Sequence, residues 1–270
     1  MSSQTQELKA YVPPLRAWRG APSVALTICL LMLWEVLVGI LAVPAYILPA
    51  PSSVAVQIYQ DFATGLIFPH FTLTLIEVIV GFLIAAIAGI ALGTAVGLIP
   101  ALDRAFYPIL LAFQTVPKVA LAPLLVIWFG YGIHSKAVMA ALIAFFPILV
   151  NVIAGLKTTD ARRLLLMSAL NASPFQTYMK VRVPSMLPYL SAGFEVAIVF
   201  SLIGAIVGEF VGASVGLGSL IIQRQAVVDV AGVFSVLTYL SVMGLALSMS
   251  IKFFTDRMTF WARSQDIQSG

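Results

Sequence analysis

The sequence predicts an all-α polytopic integral membrane protein with about six transmembrane helices. Three observations predict it. Of 270 residues, 61% are hydrophobic and only 10% charged, whereas a soluble domain carries about 25% charged residues. Apolar runs of about 20 residues, the length that crosses a bilayer, recur along the chain, and the mean hydropathy is +1.04. The Lys and Arg residues gather in the breaks between those runs. The net charge of +4 therefore does not indicate a nucleic-acid partner. A single cysteine, Cys29, excludes an intrachain disulfide.

The spans are expected at 24–43, 72–99, 106–129, 136–156, 190–211 and 235–255. They divide the chain into a cytoplasmic N-terminal segment (1–22), a transmembrane domain (23–256) and a cytoplasmic tail (257–270). The first run is too long for a signal-peptide core and lacks a small-residue cleavage site. With the N-terminus inside, 12 of the 15 Lys and Arg residues fall on the inner side, leaving only Lys118, Lys136 and Arg224. Basic loops stay in the cytoplasm, so both termini and the 157–189 loop are expected there.

Along the chain, Arg16, Trp18 and Arg19 suit an interfacial anchor. Glu35 in the first span must face protein or a wet cavity, because a carboxylate in lipid is costly. The connector Ile47-Leu48-Pro49-Ala50-Pro51-Ser52 is rigid and extended, and 52–64 reads as a short surface helix with Asp61 exposed. In the second span Gly81, Ala85, Gly89, Gly93 and Gly97 recur every fourth residue. Such a face lets another helix approach closely. Gly204, Gly208 and Gly212 repeat the pattern in the fifth span.

The third span is interrupted by Pro108, Pro117 and Pro123, with Lys118 near its middle. An ionisable residue at that depth marks either a solute path or a structural ion pair. Lys118, Glu195 and Glu77 are the candidate path residues. The structural alternative pairs Lys118 with Glu195, Glu77 or a carbonyl. Gly130-Tyr131-Gly132-Ile133-His134 makes an outer turn, and Val215–Leu220 turns into a short amphipathic segment carrying Gln223, Arg224 and Gln225.

The longest polar break, 157–189, has the grammar of helix, sharp turn, short helix and rigid exit. Asn171 tolerates the left-handed conformation that stops a helix. Ser173 can cap the next helix, with Pro174 at its first position and Gln176 closing a capping box. Pro184 is expected to stop that helix near Val183, and Pro188 to open the fifth span. An ordinary cytoplasmic loop is the plain alternative.

The chain has no Gly-x-x-x-x-Gly-Lys-[Ser/Thr] phosphate loop. His70 and His134 read as separate outer-loop residues without metal spacing. Energy for uphill transport must then come from an ion or a partner.

These residues together resemble a known family. The loop Ala169–Pro188, followed by Gly193, Glu209 and Gly216-Leu217-Gly218, is similar to the membrane subunit of bacterial ATP-binding-cassette (ABC) importers. The nearest group is the permeases for taurine, aliphatic sulfonates, nitrate and pyrimidine or thiamine precursors. Leu48-Pro49-Ala50-Pro51, Thr74-Leu75 with Gly81-Phe82, Ala120-Leu121-Ala122-Pro123-Leu124 and Trp128-Phe129-Gly130 extend the resemblance over about 45–256. In the family's loop signature, Leu165-Leu166-Met167 stand where Glu-Ala-Ala is usual, and Asn171-Ala172-Ser173 where Gly-Ala-Ser is usual.

The resemblance implies a type I helical importer permease in the bacterial inner membrane, working as a homodimer with a cytoplasmic ATPase and a periplasmic binding protein. No cofactor is expected in this chain; ATP and Mg belong to the partner ATPase. The residues that would couple to that ATPase are Ala169, Asn171, Ala172, Ser173, Pro174, Phe175, Gln176 and Pro184. Two other classes compete. An ion-coupled secondary transporter would use buried acids such as Glu35, Glu77, Glu195 and Glu209, but no repeated halves are visible. A membrane enzyme would need clustered His, Asp or Glu near one interface.

Overall fold

The structure is a computed structural model that describes residues 21–259. The Arg16, Trp18 and Arg19 anchor, nearly all of the N-terminal segment and most of the tail lie outside those residues. The described elements are α1 (Ala21–Ile40), α2 (Pro51–Ala63), α3 (Ile67–Leu98), α4 (Pro100–Thr115), α5 (Ala122–Phe129), α6 (Ile133–Lys157), α7 (Ala161–Ala169), α8 (Pro174–Thr177), α9 (Val183–Gly212), α10 (Leu217–Ala226) and α11 (Val230–Met258).

Among the described residues, five helical stretches are long and apolar enough to cross a membrane: α1, α3, α6, the stretch Pro174–Gly212 and α11. The expected third span is instead a broken pair. α4 and the Lys118–Phe129 segment meet at 81°, joined through Pro117 and a 3₁₀ turn at Lys118–Leu121. Pro117 supplies no N–H to carry α4 onward.

The fifth span begins earlier than expected, because Pro184 does not stop the helix. A π turn over Tyr178–Arg182 carries the chain on, and the Val183 N–H reaches back to the Tyr178 carbonyl. Pro184 then falls in the first turn of α9, where a missing donor does no harm. Pro188 lies inside α9 for the same reason of continuity.

α6 is the centre of the bundle, held between α3 and α9. Each neighbour presents its glycine face to α6. A Cβ added at Gly81 would lie 2.4 Å from the Ala140 Cβ, and one at Gly204 would lie 2.6 Å from the Ala140 Cα. Ala140 is thus pinched from two sides. Along α3, Gly89, Gly93 and Gly97 oppose Ile148, Val152 and Leu156. Along α9, Gly208 opposes Lys136, and Gly212 opposes the Tyr131 ring. The core follows this contact, with Ala140, Ala144, Ile148 and Val152 fully buried. Ser201 donates to the Val78 carbonyl at 2.8 Å and ties α3 directly to α9.

α1 stays on the outside, with most of its apolar residues exposed. Glu35 joins it to the bundle by accepting from the Ser52 N–H at 3.0 Å and the Ser52 hydroxyl at 2.7 Å. The carboxylate therefore sits at the start of α2, where unpaired N–H groups welcome a negative charge.

Asp61 is not exposed as expected. It is 2% accessible and receives hydrogen bonds from Arg224, from Ser235 at 2.6 Å and from Gln57 at 2.9 Å. The helical period of α2 turns Asp61 inward with Val54, and α10 and α11 supply its partners. Burial alone pushes the Asp61 carboxyl up, but the Arg224, Ser235 and Gln57 hydrogen bonds and the Arg224 charge hold it below the usual value. Asp61→Asn strands the buried Arg224 guanidinium and should cost about 3–5 kcal/mol at neutral pH. Because the folded carboxyl titrates below its unfolded value of about 3.9, the stabilisation is complete above that pH and fades as pH falls through the folded value. Thermal unfolding of the two proteins should therefore converge below about pH 4; a gap that widens on acidification would contradict the pairing.

Candidate functional site

The candidate site starts at the basic end of the bundle, where α6 ends at Lys157. Asp160 caps α7 by accepting from the Arg162 N–H at 2.8 Å. α7 stops in a left-handed turn at Asn171, φ +50°. The Ala172 N–H bonds the Met167 carbonyl and the Asn171 N–H the Ser168 carbonyl, both at 3.0 Å, a pattern that satisfies the last carbonyls of the helix. Ser173 and Gln176 then close the capping box in both directions, at 3.2 and 2.9 Å. Pro174 occupies the first position of α8. The expected turn chemistry of Asn171, Ser173, Pro174 and Gln176 is therefore in place, and α8 runs without a break into α9.

This elbow carries exposed apolar side chains at the polar end of the protein. Leu165 is 70% accessible, Leu170 68% and Phe175 68%, with Leu166 and Met179 also exposed. Ala169 is exposed beside them, whereas Ala172 is half-buried. Ala172 instead faces a groove of about 450 Å³ between elbow and bundle, lined with Leu98, Leu164, Pro174, Tyr178 and Arg182. The Tyr178 hydroxyl lies 3.2 Å from Thr94 and links the elbow to α3. The leucines were legible only as the replacement of Glu-Ala-Ala; their exposure needed the helix phase of α7.

Beside the elbow, two adjoining hollows run along α4 and α6. One, about 380 Å³, is lined by Asp103, Leu110, Gln114, Val150, Ile153, Ala154 and Lys157. Two of these residues, Lys157 and Asp103, form an ion pair at 2.7 Å. The other, about 400 Å³, shares Gln114 and Val150 and adds Lys118, Phe146, Asn151 and Phe200. Of the candidate path residues only Lys118 lines it. Its partner is neither Glu77 nor Glu195 but the Phe146 ring, 4.7 Å away. Glu195 is half-buried on α9 and lines neither hollow.

Glu77 is 1% accessible and belongs to a packed junction at the opposite end. α3 turns it into the bundle toward Glu209 and Lys136. His70 also lies in α3, buried, not in a loop. Lys136, expected on the outer side, is 1% accessible and donates to the Tyr131 carbonyl and to the Gly212 carbonyl at 3.1 Å.

The junction grips the start of α10. Gly216 N–H donates to His70 Nδ1 at 3.0 Å, Leu217 N–H to Thr74 at 2.8 Å, and Gly218 and Ser219 N–H to Glu209. Thr74 donates to Glu209 at 2.6 Å. The Gly216-Leu217-Gly218 sequence follows from this grip. Gly216 has φ +131°, a region open to glycine, and a Cβ there would lie 2.4 Å from the Glu209 carboxyl carbon. A Cβ at Gly218 would lie 2.9 Å from a Glu209 oxygen.

Comparisons with known proteins bear on the same elements. Residues 81–260 match the family described as "Binding-protein-dependent transport system inner membrane component". A probable ABC transporter permease protein of Haemophilus influenzae is 36% identical over 84% of this chain and 92% of that protein. The formylaminopyrimidine transport permease protein ThiX of Halalkalibacterium halodurans is 33% identical over 93% of this chain and 99% of its own length. Among solved structures, a chain of the MetNI methionine ABC transporter in inward-facing conformations matches with a TM-score of 0.60 at 22% identity, over 70% of this chain and 93% of that chain. That last likeness bears on the fold alone.

Proposed function

This chain belongs to the binding-protein-dependent transport inner membrane component family, and we infer that it is the membrane-spanning permease subunit of an ABC importer whose α7–α8 elbow is the handle for a cytoplasmic ATPase. The observation that carries the handle is the elbow itself. It is capped and stiffened at Asp160, Asn171 and Ser173, it exposes Leu165, Leu166, Leu170 and Phe175, and it is continuous with α9. Exposed apolar patches rimmed by charge mark docking surfaces. Leu165-Leu166-Met167 make this contact apolar where the family's usual glutamate would make it polar.

The basic end faces the cytoplasm in this reading, with both chain ends on that side. Residues 23–256 form the permease core. A second copy of the chain completes the path as a homodimer, and a periplasmic binding protein delivers a small polar or anionic solute of the sulfonate, taurine, nitrate or pyrimidine-precursor kind. Nucleotide and magnesium sit in the ATPase, and this chain contributes no catalytic group. Coupling needs two discrete arrangements of elbow and bundle that nucleotide biases through different contacts.

The test is uptake in vesicles holding the permease with the ATPase and binding protein encoded beside it. Uptake should require ATP inside and stop with vanadate, and should persist when ionophores collapse the proton and sodium gradients. Uptake that survives vanadate but not the ionophores would establish the ion-coupled alternative.

A further inference from the structure

We propose that the hollow between Gln114, Lys118, Phe146 and Asn151 is a binding station for a small monoanion, a carboxylate or sulfonate head, on the way through the permease. The inference rests on the permease reading and adds the chemistry of the passenger.

Four observations converge on it. The hollow holds about 400 Å³, room for a small organic molecule. Its lining contains one cation, Lys118, and no carboxylate. The adjoining hollow, which shares Gln114 and Val150, adds Lys157 and Asp103, which neutralise each other at 2.7 Å, so the charge left unbalanced in the two linings is that of Lys118. Finally, the wall is the break between α4 and α5, bent by 81°. Irregular backbone at membrane depth is tolerated where it lines a cavity or is buried in protein.

The way Lys118 is held fits a station rather than a structural pair. The Phe146 face, 4.7 Å from Nζ, steadies the ammonium by its quadrupole without accepting its three N–H donors as a carboxylate would. Those donors have no hydrogen-bond partner among the described residues, nor has the Gln114 amide beside them. Phe146 is itself fixed by Phe113 at 6.5 Å and by Phe145 at 5.3 Å between centroids. Asn151 is oriented by its bond to the Pro147 carbonyl at 2.8 Å and by the close approach of Gly193. One lysine gives a site that holds an anion briefly, and conduction requires weak holding.

The test uses the full chain in neutral-lipid nanodiscs and trifluoromethanesulfonate as probe, followed by its fluorine resonance, with trifluoroethanol as the uncharged control. Wild type should broaden the anion's line saturably and leave the alcohol's unchanged. Lys118→Arg should retain binding. Lys118→Met should weaken it at least about tenfold, the effect of one charge-assisted hydrogen bond. Should Lys118→Met not fold, Lys118→Gln reads the same loss. Equal binding by the folded lysine variants, or equal binding of the alcohol, overturns the proposal. Retention of the ATPase on the same preparations reports on the elbow instead. Lost anion binding with retained ATPase sinks only the station, and lost ATPase in wild type sinks the permease reading beneath it.

Discussion

Gly204→Leu is expected to leave little folded protein in the membrane. A side chain at 204 meets the backbone of α6, at the Ala140 Cα and the Met139 carbonyl, not the movable end of a side chain. Ala140 cannot retreat, because Gly81 of α3 presses on its other side. Overpacking a core costs about 1–3 kcal/mol when neighbours can shift, and here they cannot. A native stability of about 5–15 kcal/mol leaves small margin for such a change. Monodisperse yield on size exclusion measures it. Gly39→Leu is the control, since a Cβ there meets nothing within 4 Å and should leave yield unchanged. A normal yield for Gly204→Leu would refute the close approach of α9 and α6.

That seam was legible in the sequence as a four-residue spacing, because small residues on one helix face have few other uses in a membrane. Its partner was not legible. Both glycine faces close on α6, whose opposing residues, Ala140, Ile148 and Val152, look like any apolar run. The elbow was the most legible part, since caps and left-handed turns are local and depend on Asn171, Ser173, Pro174 and Gln176 alone. Local rules failed at Pro184, where a π turn absorbed the proline. They failed again wherever a polar side chain was satisfied from far along the chain. Asp61 finds Arg224 and Ser235, and Glu209 finds Thr74 and the start of α10. No spacing within α2 or α9 announces those partners. Lys118 was read as a path residue from its depth, while its hold on Phe146 needed the fold of the broken span.

The second large effect concerns the elbow. Phe175→Asp combined with Leu170→Asp should abolish ATP-driven uptake while the permease stays folded and abundant. Both side chains are 68% accessible, so charging them removes no packing from the bundle. It does place two carboxylates on the apolar surface assigned to the ATPase, where burial of an unpaired charge is strongly unfavourable. Ala172 is a weaker probe of docking, because it lines the groove behind the elbow. Ser173→Ala should be milder still, losing a cap worth about 1 kcal/mol.

The central claim is that the elbow is where a cytoplasmic ATPase takes hold. The most direct measurement is ATPase retention on affinity-purified permease, comparing wild type with the Leu170→Asp, Phe175→Asp double variant at equal permease recovery. Wild type should retain the ATPase and the double variant should lose at least about nine-tenths of it, a weakening of more than 1.4 kcal/mol. Equal retention by the two, with uptake intact, would contradict the claim.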